Sequence, residues 1–238
     1  MKNKIGIMAL LLWTSFSMAQ GGSMFTEQAD QFFKKYVKEG RVDYASLKAN
    51  PEMLEKLLQM TKEVSVSKEN AAQYQSFWIN GYNVLVIKGI VDNYPLKSPL
   101  DVAGFFDKKK HDIGGISITL NDIENKLLRA NFPSEARFHF VLVCAGLGCP
   151  PIINSSYKAS TLSAQLEEQA KIALNNSDFI RVNKNKVKIS QIFEWYKGDF
   201  TQGGKSLVDY INQYRVEKLP GKAKISYYTY DWTLNEMK

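Results

Sequence analysis

The chain has little of the chemistry that most enzymes carry in plain sight. Only two histidines and two cysteines occur in 238 residues. There is no His-Glu-x-x-His run, no phosphate-cradling loop ending in Gly-Lys-Ser/Thr and no Gly-x-Gly-x-x-Gly fingerprint. Zincin, nucleotide and dinucleotide sites therefore have no support. Arginine is scarce, and the lysines fall in small groups: Lys34-Lys35, Lys108 to Lys110, Lys184 to Lys188 and Lys218 to Lys224. A nucleic-acid surface wants clustered arginine interleaved with aromatics. The net charge of +7 is therefore read as solvated faces, and nucleic acid is not an expected partner. Beyond the N-terminus no stretch is long and apolar enough to span a bilayer. Internal repeats, low-complexity tracts and Pro/Ser linkers are also missing.

The N-terminus reads as an export signal. Lys2 and Lys4 precede an apolar run, Ile5 to Trp13, which is too short to span. Ser17-Met18-Ala19 supplies small residues at the outer positions of a cleavage site before Gln20. No cysteine follows the run, so a lipid anchor is not expected. The expectation is a periplasmic or secreted protein with no stable membrane insertion after cleavage. Residues 1–19 form the signal, 20–40 a flexible lead and first helix, and 41–238 one globular domain.

Hydrophobic residues make up 45% of the chain and aromatics 12%, enough for a sizeable core. Helical spacing is clear over Phe25 to Val37, Pro51 to Val64, Leu162 to Asn175 and Ser206 to Tyr214. Ser67 is read as the cap of the longest helix, Lys68 to Asp92, which Asn93-Tyr94-Pro95 stops. Asp122 to Arg129 is a further helix carrying Glu124, and Ser190 caps another over Gln191 to Lys197. His111 to Ile118, with its Gly-Gly turn, is a hairpin, and so are Phe179 to Val182 with Val187 to Ile189. Ile225 to Trp232 alternates as a last strand, and Phe138 to Cys144 reads as a central one. Strands and helices mix without regular βαβ alternation. The expected class is α+β, a mainly antiparallel central sheet packed by helices that include one long buried helix.

One segment concentrates the reactive groups. Arg137-Phe-His-Phe-Val-Leu-Val-Cys-Ala-Gly-Leu-Gly-Cys-Pro-Pro151 holds His139 and both cysteines, Cys144 and Cys149, around a Gly-rich loop. Such junctions expose backbone amides and hold side chains on a rigid element. The long helix breaks a local rule nearby: Asn80 and Asn83 sit three apart in an apolar run with Trp78 and Tyr82. Buried amides must find partners, either a ligand or a neighbouring loop's backbone. The C-x4-C spacing is compatible with a disulfide, with buried small hydrophobes or with a free thiol. Two cysteines and two histidines match a zinc set in count alone, and His111 lies far off, so neither metal nor cofactor is expected.

Together these pieces resemble the family called domain of unknown function 547. The matching motifs stand as Val42-Asp43-Tyr44, Phe77-Trp-Ile-Asn-Gly-Tyr-Asn83, Ile123-Glu124, Arg137 to Cys144, Gly148-Cys-Pro-Pro151, Glu194-Trp-Tyr196 with Asp199-Phe200, and Tyr230-Asp-Trp-Thr-Leu-Asn235. The resemblance implies a single α+β domain of a type found in exported bacterial proteins and in larger eukaryotic ones. It carries no reaction. Many relatives resemble Ile-Glu-His where this chain has Asn125 after Glu124.

Two functions are open at this point. The first is a papain-like thiol-dependent hydrolase or transferase acting on an amide or ester of the cell envelope. Cys144 or Cys149 is the nucleophile, His139 the base and Glu124 the orienting group. Amides of Gly146 to Cys149 form an oxyanion hole, and Asn80, Asn83, Trp78, Tyr82, Gly146 and Gly148 hold the substrate. A regular strand through His139 and Cys144 sets them on opposite faces, so that pair meets only if the strand bends or ends early. The second is a non-catalytic envelope module that binds a peptide or glycan. Trp78, Tyr82, Trp195, Tyr196, Tyr228, Tyr230 and Trp232 are numerous enough to line a cleft, with Lys197 to Asp199 and Asp231 as polar contacts.

Overall fold

The structure is a computed structural model that describes residues 21–238. The segment read as an export signal lies outside the described residues. Helix α1 already runs over 21–36, so the expected flexible lead at Gly21 to Ser23 is part of it. A two-stranded ribbon, β1 (Val37–Lys38) and β2 (Arg41–Val42), leads into α2 (Tyr44–Ala49) and α3 (Glu52–Glu63).

Helix α4 (Ala71–Asn93) is the centre of the molecule. It starts three residues later than its sequence suggests, because Asn70 Oδ1 accepts the Gln73 N–H. Ser67 instead closes a turn, accepting the Glu69 N–H. From Ser76 through Ile87 the helix is buried without a break, as an apolar surface on all sides requires. No helix among the described residues is long and apolar enough to cross a membrane.

The α+β class and the buried long helix are as expected, but the strands form three small sheets in place of one central sheet. After the ribbon comes the hairpin of β3 (Lys110–Ile113) and β4 (Ile116–Thr119), turned by Gly114 and Gly115 at positive φ. The third sheet joins β5 (Ile180–Asn183) and β6 (Lys186–Ser190) as a hairpin, with β7 (Lys224–Tyr228) parallel to β6. Between the sheets lie α5 (Leu120–Asp122), α6 (Leu162–Asn175), the short α7 (Ile192–Trp195) and α8 (Lys197–Phe200), and α9 (Leu207–Tyr214), capped by Ser206.

The expected central strand does not form. Ala136–Phe140 is a 3₁₀ turn, and the chain then turns and bends through Val141 and Leu142 and reaches Cys144 without pairing to a strand. Its backbone groups go to a side chain instead of a neighbouring strand. Asn83 Nδ2 donates to the Val141 carbonyl at 2.9 Å, and Asn83 Oδ1 accepts the Val143 N–H at 2.9 Å. One buried amide thus takes the place of a ladder partner. Asn80 does the same to Tyr157, donating to its carbonyl at 2.8 Å and accepting its N–H at 2.9 Å.

The 3₁₀ turn also divides the core. Three residues per turn send successive side chains about 120° apart. Phe138 enters one apolar cluster with α1, α3 and α4; Phe140 enters another with α6, α9 and the third sheet. His139 lies between them.

Two outcomes follow from these contacts. Asn83→Ala leaves the Val141 carbonyl and the Val143 N–H buried without partners, and should cost about 3 kcal/mol in denaturant unfolding. A loss below about 1 kcal/mol would show that the segment holds itself. His111, on β3, is buried with Nε2 unpartnered. Burial and the nearby Lys109 and Lys88 push its pKa down to about 4, against the opposing pull of Asp92 and Asp112. The unfolded chain therefore binds the extra proton between about pH 6.5 and about pH 4, and stability falls as pH drops through that window. His111→Phe should flatten this part of the profile, and an unchanged slope would assign the acid sensitivity to other groups.

Candidate functional site

A cavity of about 330 Å³ opens beside the 3₁₀ turn. Its walls bring together Tyr82 from α4, Glu124, His139, both cysteines, Trp195 and Tyr196 around α7, and Tyr230 and Trp232 from the C-terminal segment. Of the residues singled out from sequence, Glu124, His139, Cys144, Cys149, Tyr82, Trp195, Tyr196, Tyr230 and Trp232 line it. The early end of the expected strand is what puts His139 and the two sulfurs in one cavity.

The other expected ligand contacts lie elsewhere. Asn80, Asn83 and Trp78 are buried in the core, and both amides are occupied by backbone. Gly146 and Gly148 line a second cavity behind the cysteine loop. Three of the four expected oxyanion donors are also occupied. The N–H groups of Leu147, Gly148 and Cys149 donate to the carbonyls of Thr233, Asp231 and Gly146 at 2.8, 2.7 and 3.1 Å. Those bonds fasten the loop to the segment carrying Tyr230 and Trp232. They also explain the glycine at 148, where a Cβ would stand 2.9 Å from the Tyr230 ring and the Asp231 nitrogen.

Cys144 and Cys149 are joined as a disulfide, and no cysteine is free. Both are half-buried in the cavity wall. The Tyr230 hydroxyl sits 2.9 Å from Cys149 Sγ and 3.0 Å from Cys144 Sγ, and the Cys144 N–H donates to Cys149 Sγ at 3.0 Å. Nucleophilic attack needs a thiolate, so in this state neither sulfur meets the expectation of an activated nucleophile. Among the described residues no hydrogen bond joins His139 to either sulfur.

His139 belongs to a different chain of contacts. Its Nε2 lies 2.8 Å from Asp199 Oδ2, and its Nδ1 faces Glu124 Oε1 at 4.0 Å. Asp199, in the residue run 197–199 read from sequence as polar contacts, is gripped from the other side by Arg129. The Nε and Nη2 groups donate to its two oxygens at 2.7 and 3.0 Å. Burial alone would raise the Asp199 pKa, but the bonds from His139 and Arg129 outweigh it and hold the carboxyl well below the usual carboxylate range. Asp199 therefore stays ionised and fixes the Nε2 proton of His139. The Tyr196 ring stacks on His139 at 4.0 Å, with the Arg129 guanidinium 4.7 Å from its centroid. Burial, with Glu124 next, drives the Tyr196 and Tyr82 hydroxyls above their ordinary range, so both remain neutral donors.

Arg129 has no signal in the sequence. Residues 123–129, expected as ordinary helix, form a π-helical turn. That wider turn brings Glu124 and Arg129, five apart, to the same side of the site. Asn125 holds the turn: its Nδ2 donates to the Asn121 carbonyl at 2.9 Å, and its Oδ1 accepts from Arg129 Nη1. Among the described residues no three His, Cys, Asp or Glu side chains converge to hold a metal ion.

The disulfide closes a loop with a sequence separation of 5. For a loop this short the double variant Cys144→Ser/Cys149→Ser should lose about 2 kcal/mol of stability. An unchanged unfolding midpoint would mean that the hydrogen bonds to 231–235 hold the loop alone.

No curated protein and no solved structure matches the chain. A family model does match, over residues 66–172. The stretch takes in α4, Glu124, His139 and both cysteines. The motifs at 42–44, 194–200 and 230–235 fall outside it, and with them Asp199 and most of the aromatic wall. Residues 66–172 match the model of the family described as Protein of unknown function, DUF547.

Proposed function

We propose that the protein is an exported, non-catalytic envelope module that binds a peptide or glycan ligand in the aromatic cavity. The observation that carries this reading is the composition of the wall. Trp195, Tyr230 and Trp232 pack on one another with ring centroids 4.7 to 6.3 Å apart, and Trp195 remains 48% exposed at the mouth. A contiguous, part-exposed aromatic cluster, unlike a lone surface tryptophan, marks a ligand-binding groove. A volume of about 330 Å³ suits a small molecule or one end of a larger one. The polar groups are few and fixed, as in sites built to orient a ligand: Glu124, Asn121 and the His139 ring held by Asp199.

The thiol-dependent hydrolase is the second reading. It is favoured by one observation, that both sulfurs, His139 and Glu124 share one cavity. It requires prior reduction of the Cys144–Cys149 bond, and an oxyanion site other than the amides of Leu147 to Cys149.

The test is to titrate the protein with fractionated envelope peptides and glycan fragments, following tryptophan fluorescence and the heat of binding. Wild type should bind at least one fraction, and Trp195→Ala should weaken that binding about tenfold or more without lowering the unfolding midpoint. Turnover of a fraction by reduced wild type, lost in Cys144→Ser or Cys149→Ser, would replace this reading with the hydrolase.

A further inference from the structure

We propose that the group this cavity selects is a primary ammonium, presented by a peptide-like amine ligand; the inference rests on the binding reading above. The chain is basic, with a net charge of +7, yet among the described residues no lysine or arginine lines the cavity. Glu124 is the one carboxylate in the wall. The nearest guanidinium that could neutralise it, Arg129, is held on both oxygens of Asp199 and lies over Tyr196. The Arg129–Asp199 pair is neutral as a unit, so Glu124 sets the sign of the wall; its polar neighbours there are His139 Nδ1 at 4.0 Å and the neutral Tyr196 hydroxyl.

An anionic ligand has no place here. The loop amides that would receive it donate to the carbonyls of Thr233, Asp231 and Gly146. The phenols of Tyr82, Tyr196 and Tyr230 are neutral, which gives donors but no positive charge. A neutral sugar would stack on the tryptophans but leave the carboxylate uncompensated. An ammonium answers both features. Its N–H groups meet Glu124, and its charge is attracted by the electron-rich faces of Trp195, Tyr230 and Trp232. A carboxylate beside aromatic faces in a partly enclosed site is strengthened by the low local dielectric.

The experiment compares phenethylamine, its N-acetyl derivative and N-acetylglucosamine on the full mature protein, by calorimetry and tryptophan fluorescence at neutral pH. The amine should bind at least tenfold more tightly than the acetylated compound, from which only the charge and its extra donors have gone. Glu124→Gln should abolish that preference while keeping the wild-type melting temperature. Equal binding of amine and acetyl compound, or tighter binding of the sugar, overturns the ammonium assignment and leaves the cavity as a binding site. Failure of all three probes, with no fluorescence change from any envelope fraction, overturns both. The amine–acetyl comparison is made on wild type, so it decides the question even if Glu124→Gln proves unstable.

Discussion

The two hydrogen bonds from Asn83 to the backbone of Val141 and Val143 are the constraint on which the site depends. Residues 141–143 have no strand beside them, and buried backbone without partners costs too much to persist. The asparagine, set in the most buried helix of the molecule, supplies the missing donor and acceptor. Once that segment is fixed, the 3₁₀ turn before it must place Phe138 and Phe140 in separate clusters and His139 between them. The loop after it must close at Cys149 and meet the C-terminal segment. The cavity forms at this meeting point.

Electrostatics then divide the site into a held part and an open part. Arg129, Asp199, His139 and Tyr196 are mutually bonded or stacked, so the imidazole keeps one orientation. Glu124 stands at the edge of this unit, 4.0 Å from Nδ1, and faces the aromatic wall. The disulfide and the Tyr230 hydroxyl make the opposite wall, tying the shape of the cavity to the redox state of the two sulfurs.

Much of this was legible in the sequence, and the gaps have physical causes. The hairpins at 110–119 and 180–190 follow from turn chemistry and alternation, α3 and α6 from apolar spacing, and α9 from spacing with its Ser206 cap. His139, Cys144 and Cys149 stood out as scarce reactive groups in one apolar segment, with Glu124 as the candidate orienting group, and the four do share a cavity. The run from 138 to 144 is β-branched and apolar, so it resembles a strand, but strand propensity mainly reports a half-buried surface. A side-chain amide 58 residues away satisfies that surface here, and no local pattern signals it. Asn80 and Asn83 announced that they needed partners without saying which; backbone, and not ligand, is the answer. Arg129 was hidden because a π-turn changes which positions share a face. Asp199 was legible as a polar contact of the cleft, but its bond to His139, 60 residues distant, has no local signal.

The central claim is that the paired sulfurs form part of a binding wall and are not a resting nucleophile. The most direct measurement is a count of alkylatable thiols in the non-reduced protein, with the rate of iodoacetamide reaction followed against pH. The account predicts no modified cysteine until a reductant is added, and a Cys144–Cys149 linked peptide on digestion. One fast-reacting, low-pKa thiol in the untreated protein would contradict it and make this cavity the active site of a cysteine enzyme.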